Sequence, residues 1–146
     1  IIVPAAGFLL GLVAVRAALP AMTARLVRWG FRITIVGNVL VLVGLVIEYW
    51  LELVDLGFAI DFPAFLILLA GSTMLGIGML RERSAPRVGA WLLALAIPLV
   101  LGCTLLIGHL SAGLIPLDLA WIVLGWWAWS DGRAHVPRGR PLLPEG

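Results

Sequence analysis

The sequence has no lysine: its ten basic residues are all arginine. Charge is scarce altogether. Only 12% of the 146 residues are charged, against about 25% in soluble domains, while 62% are hydrophobic. With a mean hydropathy of +1.12, too little polar surface remains to cover a globule in water. That excludes a soluble enzyme, a disordered chain and a nucleic-acid binder. The single cysteine, Cys103, excludes an intrachain disulfide and a cysteine-based metal cluster. Two histidines, His109 and His135, are few for a metal or haem site. No catalytic Ser–His pair, phosphate-binding glycine loop or zinc motif is present, so no catalytic residue, metal or cofactor is expected.

What is present are long apolar runs. A membrane helix needs about 20 apolar residues, and five segments qualify as candidates: about 1–15, 29–54, 63–80, 88–107 and 114–130. The chain opens on Ile1 rather than Met, which points to a processed chain or a fragment and to a truncated first segment. The expected fold class is an all-α, polytopic membrane bundle forming one domain over 1–130, with a disordered tail over 131–146.

The charges set the sidedness. Arg16, Arg25, Arg28 and Arg32 lie between the first and second segments; Arg81, Arg83 and Arg87 between the third and fourth; Arg133, Arg138 and Arg140 after the fifth. Five alternating spans put all ten on one side. Glu48, Glu52, Asp55, Asp61 and Asp118 fall on the other, with His109. The positive-inside rule then predicts an outer N-terminus and a cytoplasmic C-terminus in the inner (plasma) membrane. Reading the first segment as a signal peptide would place Arg16 to Arg32 outside, and no basic region precedes it. The acidic partner implied by a pI near 9.5 is the anionic lipid surface.

The second segment has one polar face. At 100° per residue, Gly30, Thr34, Gly37, Asn38, Gly44, Glu48, Glu52 and Asp55 share a stripe about 120° wide. Val36, Val39, Leu40 and Val43 lie opposite. Small and polar residues are expected to face helices, branched aliphatics to face lipid, and Asn38 to form an interhelical hydrogen bond. Smaller marks of the same kind are Gly7 with Gly11, Ser72 with Gly76, and Ala90, Ala94, Pro98 and Gly102 at steps of four. Pro98 should kink its helix, whereas Pro63 and Pro116 sit where helices begin.

The candidate chemistry is an outward ion or proton site formed by Glu48, Asp118 at the start of the fifth segment, and His109 just before it. The alternative for these acids is that they simply end their helices among the headgroups. The stretches LGIGML–RERSAPR, AWLLALAIPLVLG and LDLAWIVLGWWAWSDGR resemble small multi-pass membrane proteins of bacteria with GC-rich genomes, mostly of unassigned function. The resemblance spans about residues 66–133 and implies no site residue; the all-arginine basic set agrees with such a coding bias. The expected role is a non-enzymatic accessory subunit or self-associating module, whose partners are lipid, other membrane subunits or itself. The alternative is a small oligomeric transporter or channel using Glu48 and Asp118.

Overall fold

A computed structural model describes residues 8, 11–17, 25–108 and 114–134, with the backbone alone at 131–134. Every regular element among them is helical: α1 (11–17), α2 (Arg25–Trp50), α3 (Val54–Glu82), α4 (Arg87–Ala94), α5 (Ala96–Ile107) and α6 (Ile115–Ala134). Helices α2 and α3 are each long and apolar enough to cross a membrane, and α4 with α5 would add a third crossing if counted as one bent span. Helix α6 has 20 residues, but Asp118 and four tryptophans dilute its apolar character.

The α2–α3 hairpin is built on glycine. A Cβ added to Gly30 would meet the Leu75 backbone nitrogen at 2.5 Å, and one added to Gly37 would meet that of Leu68 at 2.5 Å. From the other side, a Cβ on Gly71 would meet the Thr34 nitrogen at 2.5 Å, and one on Gly78 the Val27 side chain at 2.6 Å. Gly44 faces the Asp61 side chain, and Gly57 faces Glu48. The residue numbers in all six pairs add to one constant, so a single antiparallel register runs the whole length. Both helices carry small residues at seven-residue steps: Gly30, Gly37 and Gly44 on α2, and Gly57, Ala64, Gly71 and Gly78 on α3, all buried. That period keeps the seam turned toward its partner. At these six rungs a larger residue of one helix sits over a glycine of the other, and the backbones approach closely.

The turn between them is short and corrects the expected boundaries. Helix α2 ends at Trp50 rather than continuing to 54. Glu52 adopts a left-handed backbone (φ 56°), and the Leu53 amide donates back to the Ile47 carbonyl at 3.2 Å. The bond spans seven residues and closes the helix end around a left-handed position that is normally glycine. Glu52 therefore leaves the packing stripe and is exposed in the turn. Asp55 belongs to the first turn of α3, not to α2. Helix α3 starts nine residues before the expected 63, so Pro63 lies inside it rather than at its start. Pro63 is exposed, and its missing N–H leaves the Ala59 carbonyl without its ladder donor.

Helix α3 packs next on α4, and α4 on α6; α5 touches α3 and α6. Gly76 admits α4 to close approach at Ala90, Leu93 and Ala94, and Gly89 receives Leu124 of α6. Phe8 meets Trp121 edge-on, with ring centroids 4.8 Å apart. Leu12 and Val15 join a core that also holds Phe31, Leu69, Leu93 and Leu124. The expected span 88–107 is two helices bent by 69° at Leu95, three residues before Pro98. Pro98 lies in the first turn of α5, where no N–H is required, and its ring opposes the Ala94 carbonyl of a straight helix. Residues 131–134 continue α6 rather than opening the tail; 135–146 lie outside the described residues.

Candidate functional site

Four acids cluster at the hairpin's closed end. The shared register puts Glu48, Glu52, Asp55 and Asp61 there, and Arg25, Arg28, Arg81 and Arg83 at the opposite end. Glu48 stands in the last turns of α2, its backbone pressed against Gly57. Asp61, one turn further along α3, lies over Gly44, one turn before Glu48 on α2. The two carboxylates thus occupy neighbouring rungs, close enough for the charge of Glu48 to act on Asp61. The Asp61 Oδ1 is buried and, among the described residues, accepts no hydrogen bond. Together the pair offers carboxylate oxygens to a cation or a shared proton.

Asp118 does not complete this site. It is exposed in the first turn of α6, where the helix N-terminus favours an anion. Among the described residues, α6 packs on α4 and α5 and makes no contact with α2. His109 lies outside the described residues. Asp61, rather than Asp118, is the partner the fold supplies to Glu48. A signal for it stood in the sequence: Gly57, Ala64, Gly71 and Gly78 repeat at the heptad spacing of the α2 glycines. That spacing turns residue 61, one turn from both Gly57 and Ala64, toward the same neighbour.

The remaining stripe residues face inward. Gly30, Thr34, Gly37, Asn38 and Gly44 are all buried. The Thr34 hydroxyl donates to the Gly30 carbonyl at 2.8 Å, so it is satisfied within its own helix. The Asn38 side chain is 3% exposed, yet its Oδ1 has no hydrogen-bond partner among the described residues. The interhelical bond expected of Asn38 is therefore not made at that atom. Ser72 is equally buried, and its Oγ has no hydrogen-bond partner among the described residues. Among the described residues no group of three or more His, Cys, Asp or Glu side chains is placed to hold a metal.

At the arginine end, the Arg32 guanidinium lies 5.6 Å from the Trp29 ring centroid, a stacked pair suited to a headgroup boundary. Between α3 and α4, beside the bend at Leu95, runs an open groove of about 450 Å³ lined by Ile77, Leu80, Arg81, Trp91, Ala94 and Leu95. No protein-family model, no curated protein and no solved structure matches this chain.

Proposed function

We propose that this chain is a non-enzymatic, multi-pass protein of the bacterial inner membrane that works by helix–helix contact, as an accessory subunit or a self-associating module. The observation that carries the reading is the division of its glycines. Those of α2 and α3 and Gly89 of α4 are consumed by close internal contacts. Among the described residues, Gly11, Gly102 and Gly125 have nothing within 4 Å of where a Cβ would stand. In lipid, an open small-residue face is where a second helix can approach closely. Helix α5 supports the same reading: only Ala96 and Val100 are buried, while Leu105 and Leu106 are 83% and 88% exposed. The proposed topology has five crossings, the N-terminus outside and the C-terminus in the cytoplasm. Its support is the hairpin, whose closed end holds Glu48, Glu52, Asp55 and Asp61 and whose opposite end holds Arg25, Arg28, Arg81 and Arg83 with one acid, Glu82.

The test is purification of the tagged chain in mild detergent, with mass identification of what remains bound. A stoichiometric partner or a defined oligomer is expected, and Gly102→Leu should release it. A clean monomer with nothing attached refutes the reading.

A second reading is favoured by one observation, the buried Asp61 Oδ1 beside Glu48, unpartnered among the described residues. It is a small transporter or channel in which Glu48 and Asp61, rather than Glu48 and Asp118, hold the ion or proton. Glu48→Gln in proteoliposomes should then abolish flux while leaving the oligomeric state intact. Undiminished flux sinks it.

A further inference from the structure

We infer that the α3–α4 groove is a binding site for one anionic phospholipid of the leaflet at the arginine end. Its floor is apolar: Ile77 and Leu80 on one wall, Ala94 and Leu95 on the other. The mouth is cationic. Arg81 stands one turn beyond Ile77 on α3 and lines the groove. Arg87 stands one turn before Trp91 on α4, hence on the same face of that helix. The first turn of α4 adds to the positive end: its N-cap, Pro86, makes no side-chain cap, and no acid lies in that turn. Trp91 is exposed between mouth and floor, the level at which indole rings sit in a bilayer.

The bend makes the groove. Gly76 draws α4 against α3, and α5 then swings away by 69° at Leu95. A straight helix would continue along α3; the bent one leaves a furrow open to the membrane. Its volume of about 450 Å³ falls within the range of small-ligand sites, about 300–1,000 Å³. Charge decides the occupant. An apolar furrow alone would take any acyl chain, but the Arg81 guanidinium that lines it, with Arg87 on the Trp91 face of α4, matches a phosphate, and a headgroup without a compensating cation suits them best. The site requires α3 to cross the bilayer and is independent of whether the chain has a protein partner.

The test is native mass spectrometry of the full chain in mild detergent, titrated with phosphatidylglycerol or with phosphatidylcholine of the same acyl chains. One phosphatidylglycerol should be retained at concentrations where phosphatidylcholine is not. Arg81→Gln should lower that retention about tenfold and erase the headgroup preference. Ile77→Trp, at an exposed position, should fill the furrow and lower retention of both lipids; Leu95→Trp does the same from the other wall should the first variant misfold. Arg28→Gln, at the same end but on α2, should change nothing. Equal retention of the two lipids by the unaltered chain overturns the site. So does an Arg28→Gln loss as large as that of Arg81→Gln, or displacement of the lipid by inorganic phosphate, which would mean a headgroup contact with no seated chain.

Discussion

Replacing Gly37 by alanine separates two effects of opposite sign. In a helix interior alanine is favoured over glycine by about 1 kcal/mol, so on helix propensity alone the change stabilises. The new Cβ, however, would stand 2.5 Å from the Leu68 nitrogen and 2.7 Å from its Cα, where ordinary contact begins at 3.4 Å. These are backbone atoms and cannot rotate away, so the helices must part by roughly 1 Å. A gap of about 0.5–1 Å forfeits a quarter to a half of each van der Waals well along the seam. All six rungs share one register, so the loss extends beyond one contact. Overpacking of this kind costs about 1–3 kcal/mol. Gly102→Ala, compared in detergent that leaves the chain monomeric, is the matched control, because among the described residues nothing lies within 4 Å of its added methyl. The propensity terms cancel between the two variants and leave a difference of about 2 kcal/mol, or roughly thirtyfold in the unfolding equilibrium. Titration of each variant from mild detergent into dodecyl sulfate, followed by far-ultraviolet circular dichroism, measures it. Trimming Leu68 to alanine should not rescue Gly37→Ala, since the clash is with backbone. Equal midpoints for Gly37→Ala and Gly102→Ala would refute the close seam.

Pro98→Ala should straighten α4 into α5. Spin labels at the exposed positions 88 and 106 should move from about 22 Å to about 27 Å apart at 1.5 Å per residue, and an unchanged separation would clear proline as the cause. Glu52→Gly should stabilise the hairpin by about 1 kcal/mol, because residue 52 holds φ 56° and a side chain there is strained; a loss of stability would instead mean that the glutamate packs. For sidedness, in a Cys103→Ser background, Glu52→Cys should react with an impermeant label from outside and Arg83→Cys only after permeabilisation. The reverse pattern overturns the orientation.

The sequence carried the inner face of α2 in plain view. Three glycines at heptad spacing, Thr34 and Asn38 marked a stripe with valines opposite, because a helix of fixed pitch needs only residue spacing to define a face. The same spacing stands in α3, but Asp55, Asp61 and Pro63 lower the hydropathy of its first turns. Hydropathy starts the helix at Pro63, leaves Asp61 in the loop and gives Asp55 to the α2 stripe, whereas α3 contains all three. What decides the matter is tertiary: the α2–α3 seam rewards helix up to the turn, since the last rung pairs Glu48 with Gly57. The end of α2 was illegible for a different reason. The left-handed residue is a glutamate rather than a glycine, so no local signal announces the stop. The candidate site followed suit. Glu48 could be recognised from its depth and its stripe, but its partner depended on which helices touch, and spacing along one chain does not report that.

The bend at Leu95 also bears on how many times the chain crosses the membrane. Helix α4 rises about 12 Å and α5 about 18 Å. Were α4 aligned with the bilayer normal, a 69° bend would leave the pair only about 18 Å tall, short of a core of about 30 Å. If the two halves lean about 35° to either side, they reach about 25 Å, within the tilts that membrane helices adopt and close enough for modest thinning of the bilayer. Five alternating crossings need this second posture, since α6 must start on the outer side for its arginine-bearing end to return to the cytoplasm. Ile107, exposed at the end of α5, distinguishes the two. In the Cys103→Ser background, Ile107→Cys should react with an impermeant label from the same side as Glu52→Cys. Protection from both sides would mean that α4 and α5 dip into the membrane and stop, and that α6 does not start on the outer side.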